Sequence, residues 1–191
     1  GTGKGAKLGI LIKSGEALEI IHKARTIVFD KTGTVTSGKP VVTEIYSKDF
    51  DEKDLLALAA SAESGSEHPL GRAIVEKAGD SGLEIKKADS FEAVAGFGIK
   101  ALTGGHEVII GKSALFSDLK IDIKVLGDKA GEMAGQGRTP VYVSVDGKAV
   151  GIIAIADVPK ESSLPAVTRL KKNGYRVVTL TGDNQRTADA I

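Results

Sequence analysis

The sequence predicts an α/β fold with a separate α+β domain inserted into it. Two short apolar segments, residues 26–29 and 177–180, have strand character, and each ends in a polar loop. A helical pattern over residues 164–172 precedes the second segment. The region between the two segments has its own helical patterns and an alternating hairpin. If the two outer strands lie parallel in one sheet, the middle region is most simply an insertion.

The first predicted elements belong to the outer domain. Residues 14–22 form a predicted helix with Ser14 as N-cap, and Leu18 and Ile21 lie on one face. Residues 1–5 are rich in glycine, but no strand precedes them as a phosphate-binding loop requires, so we predict a flexible connection. The strand over residues 26–29 follows, and then an extended segment over residues 41–46.

The middle region predicts helices followed by short strands. Residues 51–61 have apolar side chains at helical spacing and acidic ones in the first turn. A second helix begins near Pro69, which suits a first helical position. Glycines interrupt short strands between residues 91 and 115, and Asp146-Gly147 predicts a tight turn between two further strands. We therefore expect outer-domain segments at residues 1–43 and 151–191, and an inserted domain at residues 44–150.

Composition excludes several classes of function. The chain has 191 residues, 41% hydrophobic and 27% charged, with a net charge of +1, which gives no support to a nucleic-acid partner. It lacks cysteine, so disulfides and thiolate metal sites are excluded. Its longest apolar stretch, residues 150–156, is far short of the roughly 20 residues of a membrane-spanning helix. Because it also begins with Gly1 and not Met, we expect a soluble, monomeric piece of a larger protein.

The loop after the first strand carries the main chemical signal. Asp30 is placed at the carboxyl end of a strand, where open α/β sheets bind their ligands. There a carboxylate can attack phosphorus and form an aspartyl phosphate, although a strand-end Asp can also simply cap a turn. Lys31 can neutralise phosphate charge, Thr32 and Thr34 offer hydroxyls and amides, and Gly33 lets the loop close around a ligand.

The string Asp30-Lys31-Thr32-Gly33-Thr34 resembles the phosphorylation signature of the P-type ATPases. The resemblance implies a Rossmann-like phosphorylation domain of the haloacid-dehalogenase type, incomplete in this chain. Phosphatases of that superfamily place a second Asp two residues after the nucleophile, where it can act as general acid and base. Thr32 has no such titratable group, so we expect a phosphoenzyme that persists long enough to drive a conformational change.

Two further strings in the last third resemble the same family. Thr181-Gly182-Asp183 follows the second outer strand, and Thr181 together with the following backbone amides can bind phosphoryl oxygens. Asp157 and Lys160 match an Asp-x-x-Lys element of the family at the return from the inserted domain. Lys160 could reach phosphate, and Asp157 could hold the hinge or contact ribose. We count both among the expected ATP-binding residues, and the resemblance favours the hinge interpretation.

A motif in the middle region resembles one branch of the family. Ser66-Glu67-His68-Pro69-Leu70 is similar to the motif of heavy-metal-transporting (type IB) P-type ATPases, particularly the copper branch. The resemblance implies that His68 orients ATP, that Glu63 contacts adenine, and that Gly96 and Gly98 are the family's paired glycines. Without the resemblance, a His before a helix-starting Pro is more simply a cap, and an isolated Gly-x-Gly is weak support for a nucleotide site.

A possible phosphate-binding loop must be rejected. Gly111-Lys112-Ser113 has the end of such a motif, but His106 occupies the position of its first glycine. We predict a tight turn there. The copper branch often has Asn after this glycine, so Lys112 departs from the family pattern.

The resemblance covers the whole chain and implies the ATP-binding and aspartyl-phosphate-forming module of a copper pump. It implies ATP and Mg²⁺ as cofactors, with Asp30 and Thr32 as metal ligands and the remaining ligands beyond Ile191. It also implies the pump's membrane helices and actuator domain as partners, a metallochaperone for the parent protein, and the cytoplasmic face of a bacterial plasma membrane. We expect ATP binding without turnover from these residues alone.

Three alternatives remain open at this point. A zinc or cadmium pump would carry the same module, since no transport ligand lies in this chain. A soluble aspartyl-phosphate phosphatase or phosphomutase is disfavoured by Thr32. The third is a regulatory nucleotide-binding module without catalysis.

Overall fold

The structure is a computed structural model that describes residues 2–180, without the side chains of Thr2 and Leu18. The helices are α1 Thr2–Lys7, α2 Gly15–Ile21, α3 Glu52–Ala62, α4 Pro69–Asp80, α5 Ser113–Asp118, α6 Gly127–Gly135 and α7 Ser163–Lys172. The strands are β1 Thr26–Asp30, β2 Thr36–Ser47, β3 Ser90–Val94, β4 Gly98–Thr103, β5 His106–Gly111, β6 Thr139–Val145, β7 Lys148–Pro159 and β8 Arg176–Leu180. Short turns of other helical types span Lys31–Val35, Glu63–Gly65 and Lys124–Leu126.

The two outer strands pair in parallel, as the sequence predicts. β1 and β8 form a two-stranded sheet in which Thr26 pairs with Arg176 and Asp30 with Leu180. Their carboxyl ends therefore lie at the same edge, next to the loop that follows Asp30. The helix α7 precedes β8, which gives the strand–helix–strand order expected from the sequence.

The other six strands form one antiparallel sheet in the order β2-β7-β6-β5-β4-β3. Helices cover both of its faces. One apolar cluster joins α3 and α4 to the sheet, and a second joins α5 and α6 to the opposite face. In β5, Val108 and Ile110 belong to the first cluster and Ile109 to the second. Burial on both faces explains why this strand has a continuous apolar run and not an alternating one.

Three features differ from the sequence-based expectations. Thr2–Lys7 is a helix and not a flexible connection. The extended segment predicted at residues 41–46 is part of the 12-residue strand β2, whose pairing with β7 has irregularities at Thr36/Pro40 and at Val42/Glu44. β7 also has 12 residues. Both strands run continuously through the expected domain boundaries at residues 43/44 and 150/151.

Candidate functional site

Asp30 lies at the end of β1 with its side chain exposed to solvent. The next residues turn sharply, because Thr32 (φ −73°, ψ 122°) and Gly33 (φ 77°, ψ −11°) have the dihedrals of a type II β-turn. The third position of such a turn needs a positive φ, which glycine adopts without strain. The sequence thus directs the chain away from β1 while leaving the Asp30 carboxylate accessible.

Side chains from both strands of the β2–β7 pair fasten this turn. The hydroxyl of Thr36, fully buried, lies 3.0 Å from the Lys31 carbonyl oxygen and 2.5 Å from Asp157 Oδ2. It also accepts a hydrogen bond of 3.3 Å from the Gly33 amide. The turn is therefore held to the strand that leaves it and, through Asp157, to the strand that returns.

Asp157 and Lys160 lie at this turn and not at the cavity described below. Asp157 Oδ1 accepts from the Gly38 amide at 2.9 Å and from the Ser37 hydroxyl at 3.1 Å. Lys160 Nζ donates to the Gly33 carbonyl oxygen at 2.6 Å. The geometry favours the hinge interpretation of Asp157 over a ribose contact, because its carboxylate oxygens already accept hydrogen bonds from the first segment.

The remaining residues of the predicted phosphorylation site differ in their exposure to solvent, and three of them lie beyond the described part of the chain. Lys31 is buried, with 8% of its surface exposed, whereas Thr32 and Thr34 are exposed. Thr181, Gly182 and Asp183 lie outside the described residues.

Two residues that fasten the turn were not predicted from the sequence. Thr36 is one, and Ser163 is the other, since its hydroxyl donates to the Val35 carbonyl oxygen at 2.6 Å. A Ser at the first position of a helix is too common to single out, and only the pairing of distant segments shows its partner. Thr36 lies two residues after Thr34, the last residue of the signature, and could have been included with it.

A cavity of about 530 Å³ lies where the α3–α4 corner meets the ends of β3, β4 and β5. Its lining brings together four of the six residues expected to bind ATP, namely Glu63, His68, Gly96 and Gly98, but neither Asp157 nor Lys160. Apolar side chains from the sheet and from α4 contribute much of the rest, among them Leu70, Phe91, Val94, Ile99, Ile110 and Val141. A largely apolar cavity with a few polar groups is typical of a small-molecule site.

Glu63 places a buried acceptor in this cavity. It caps the C-terminus of α3, and only 6% of its surface is exposed. Its Oε2 atom has no hydrogen-bond partner in residues 2–180. Burial raises the pKa of this carboxyl above its usual value of 4.5, and the Ser66 hydroxyl opposes that rise. Leaving a buried oxygen without a hydrogen-bond partner costs free energy, and this oxygen can accept a hydrogen bond from a donor that enters the cavity.

Glu63→Gln is expected to stabilise the ligand-free protein in a pH-dependent way. Because the folded-state pKa is raised, stability from this group is fully present below pH 4.5 and is lost as pH rises through the folded pKa. Near pH 7.5 the variant should gain about 1 kcal/mol or more, since it no longer buries an unpaired charge. Urea unfolding between pH 4.5 and 8 measures the difference, with exposed Glu67→Gln as control. A gain that is independent of pH would contradict this account.

His68 is the N-cap of α4, and Pro69 takes the first helical position. The Leu70 amide donates to His68 Nδ1 at 3.2 Å. Since Nδ1 accepts this hydrogen bond, it is the unprotonated nitrogen and Nε2 carries the proton. The capping alternative from the sequence and the proposed ligand contact are therefore compatible, because they use different ring nitrogens. The cap orients the ring, and the Nε2–H group remains available as a donor.

Gly96 and Gly98, the two lining glycines expected from the sequence, occupy their positions for different structural reasons. A Cβ on Gly98 would lie 2.1 Å from the Ile110 carbonyl oxygen and 2.6 Å from Gly111 Cα, so β4 and β5 require glycine there. Gly96 has φ +80° in the β3–β4 turn, and no atom lies within 4 Å of its hypothetical Cβ. Gly98 thus serves the close approach of two strands, whereas Gly96 leaves open space next to the cavity.

Gly111-Lys112-Ser113 forms the turn between β5 and α5, in agreement with rejection of a phosphate-binding loop. The side chain of Lys112 nevertheless lines the cavity, and its Nζ donates to the Gly96 carbonyl oxygen at 3.0 Å. Phe91 and Phe97 also line the cavity and are partly exposed, at 38% and 43%. Sequence reasoning missed these aromatic rings, although only five Phe occur in the chain.

Neither a metal cluster nor a membrane span is found in the described part of the chain. No group of three or more His, Cys, Asp or Glu side chains within residues 2–180 could hold a metal ion. None of the helices in this range has both the length and the apolarity needed to cross a bilayer. Asp30 and Thr32, the expected metal ligands, are close in sequence at the end of β1.

Comparison with known proteins decides the family. A haloacid dehalogenase-like hydrolase profile matches residues 24–191. The chain belongs to the haloacid dehalogenase-like hydrolases. This membership and the parallel β1–β8 pair confirm the predicted fold class, and the six-stranded antiparallel sheet agrees with the α+β insertion.

Within the haloacid dehalogenase-like hydrolases, the similarity is to metal-transporting ATPases. The chain is 49% identical over its full length to a copper-exporting P-type ATPase of Bacillus subtilis. A crystal structure of a zinc-transporting PIB-type ATPase matches 94% of the chain with 39% identity and a TM-score of 0.86. The N-domain of HMA6, a copper-transporting P-type ATPase, matches 61% of the chain with 28% identity and a TM-score of 0.52. The resemblance predicted from the sequence is thereby confirmed.

The matched lengths differ greatly. The chain spans 24% of the Bacillus subtilis relative and 29% of the zinc-transporting chain, but 98% of the HMA6 N-domain. The similarity therefore concerns one segment of those pumps.

Proposed function

We propose that this chain is the ATP-binding and phosphoryl-accepting segment of a P-type ATPase that exports copper. The observation that carries the proposal is the unpartnered Oε2 of Glu63 in a cavity that His68, Gly96 and Gly98 also line. An adenine ring suits such a cavity, because its exocyclic amino group can donate to Glu63 while its faces contact apolar side chains. His68 Nε2–H offers a second, oriented polar contact.

Asp30 is the proposed phosphoryl acceptor. Its carboxylate oxygen forms a bond to the γ-phosphorus of ATP, the bond from that phosphorus to the bridging oxygen breaks, and ADP leaves. The exposed carboxylate is accessible for in-line attack, while Thr36, Asp157, Lys160 and Ser163 hold the adjacent turn. Thr32 has no group able to activate water, so the phosphoenzyme persists.

Mg²⁺ is the proposed metal cofactor. Bound Mg²⁺ would supply positive charge that neutralises the phosphate groups during the transfer. The Asp30 carboxylate and the Thr32 carbonyl would hold it from this part of the chain, and both are oxygen donors of the type that Mg²⁺ prefers. Asp30 thus serves both the metal and the transferred phosphoryl group.

The domain division is also a proposal: phosphorylation-domain parts at residues 1–43 and 151–191, and a nucleotide-binding domain at residues 44–150. Its support is that one sheet contains β2 to β7, and that the HMA6 N-domain is matched over nearly its whole length. β2 and β7 cross both boundaries side by side, so this strand pair is the structural connection between the two proposed domains.

The cellular setting follows from the proposed parent protein. Identity is higher to the copper-exporting relative than to the zinc-transporting structure, 49% against 39%, which favours copper. The partners would be the pump's membrane helices and actuator domain, with a metallochaperone delivering the ion. The segment would face the cytoplasm at a bacterial plasma membrane, where ATP is available.

A pair of His68 variants tests the nucleotide site. His68→Ala should lower ATP affinity about five- to tenfold, the loss of a hydrogen bond, and should also destabilise the protein by about 1 kcal/mol through loss of the helix cap. His68→Asn should restore the cap, because Asn is a good N-cap, but not the binding. Calorimetric titration and urea unfolding measure the two effects separately. If His68→Asn bound ATP as well as the parent chain, the ring would be a cap only.

A further inference from the structure

We infer that Lys112 recognises the phosphate groups of the nucleotide and makes the cavity selective for triphosphates over the nucleoside. This inference rests on the proposed function. Among the residues that line the cavity, Lys112 alone carries a permanent positive charge, whereas Glu63 and Glu67 are acidic. A highly charged anion in this cavity therefore has one permanently charged side chain with which it can form an ion pair, Lys112.

The position of Lys112 suits a contact with solvated phosphate. Its backbone amide donates to the Phe97 carbonyl oxygen at 2.9 Å, and its Nζ donates to the Gly96 carbonyl oxygen at 3.0 Å. These two bonds hold the side chain along the β3–β4 turn. Unlike Glu63, Lys112 is exposed. The cavity thus has a buried acceptor in the wall formed by the α3–α4 corner and an exposed cation in the wall formed by the strand ends.

These two groups favour different ends of one ligand. A buried acceptor suits a neutral N–H donor such as an adenine amino group, because the site can desolvate it at little cost. An exposed ammonium suits an anion that remains partly hydrated. A neutral carbonyl is a weaker partner for an ammonium than a phosphate oxygen, since charge-assisted hydrogen bonds are the stronger ones. On binding, Nζ would exchange the Gly96 carbonyl for a phosphate oxygen.

The test compares ligands with different numbers of phosphates on the 191-residue chain. ATP, ADP, AMP and adenosine are titrated against the parent chain, Lys112→Gln and Lys112→Arg. Lys112→Gln should weaken ATP about three- to tenfold, as expected for an accessible charge-assisted contact, and change adenosine affinity less than twofold. Lys112→Arg should keep most of the ATP affinity. In the unsubstituted chain, the ratio of ATP affinity to adenosine affinity should fall as the salt concentration rises.

A matched control separates local contact from general charge. Lys87 lines a neighbouring cavity of about 360 Å³ and not this one, so Lys87→Gln makes the same change in net charge nearby. It should leave ATP affinity unchanged. If Lys112→Gln lost affinity for ATP and for adenosine equally, Lys112 would only hold the Gly96 turn. If Lys112→Gln and Lys87→Gln lowered ATP affinity equally, the effect would come from net charge and not from a local contact. Either result overturns the inference. If the parent chain bound neither ATP nor adenosine, the proposed function itself would fail.

Discussion

Asp30→Asn is expected to abolish the phosphoenzyme in the full-length pump that we propose as the parent protein, while leaving ATP binding intact. Asparagine keeps the shape of the side chain, but its amide is a far poorer nucleophile and a weaker Mg²⁺ ligand than a carboxylate. Asp30 lies at the end of β1 and does not line the nucleotide cavity, so the binding site should be unaffected. Label from γ-³²P-ATP, trapped in acid, should fall to background.

The control for this variant is ATP affinity, measured in the same preparation. An unchanged affinity together with the loss of label assigns Asp30 to the chemical step. If the variant incorporated as much label as the unsubstituted pump, Asp30 would not be the phosphoryl acceptor. A parallel loss of ATP binding would mean that the two sites are not separate, contrary to the geometry.

Gly98→Ala is expected to cause the largest loss of stability among substitutions in the cavity. The new methyl group would meet the Ile110 carbonyl oxygen at 2.1 Å and Gly111 Cα at 2.6 Å. Both are backbone atoms of β5, so neither can rotate away, and the strands must separate. Overpacking of this kind costs about 1–3 kcal/mol and sometimes more, so we expect a loss at the upper end of that range, measured by urea unfolding.

Gly96→Ala is the matched control. It lies two residues before Gly98, in the β3–β4 turn, with φ +80° and open space around the missing Cβ. Alanine there should cost only the strain of a left-handed backbone, about 1–2 kcal/mol. Once the loss of stability is taken into account, Gly96→Ala should weaken ATP binding more than Gly98→Ala, because Gly96 borders the open cavity. Equal stability losses at the two positions would contradict the packing argument.

Local sequence signals were sufficient to predict much of the fold. Ser14 caps α2 and Pro69 begins α4, as expected from their preferences at helix ends. The strand before Asp30 and the Asp146-Gly147 turn are also observed. These features depend on a few neighbouring residues, whose conformational preferences do not need the rest of the chain.

Features that depend on distant pairing could not be predicted in this way. The length of β2 comes from its pairing with β7, and the paired residues are more than a hundred positions apart in the sequence. Gly38 and Pro40 lie where this pairing is irregular. The partners of Asp157 and Ser163 arise from the same pairing. No local pattern contains such information.

The candidate site shows the same limit. The resemblance named Glu63 and His68, but not their arrangement in one cavity. The unpartnered oxygen of Glu63 appears only once α3 and α4 are packed against the sheet, whereas the His68 cap is a local feature between residues two apart. Lys112 is a further example, since its sequence context suggested a phosphate-binding loop and then a simple turn. Its side chain reaches the cavity through the β4–β5 pairing.

NMR titration of the ¹⁵N-labelled 191-residue chain with ATP tests the central claim most directly. We predict amide shifts concentrated around the α3–α4 corner and the β3–β4 turn, at residues such as Gly65, His68, Gly96 and Lys112. Glu63→Gln should reduce these shifts at a given ATP concentration, because it exchanges a carboxylate acceptor for a weaker neutral amide oxygen. The absence of shifts at millimolar ATP, or shifts confined to surfaces away from this cavity, would contradict the account.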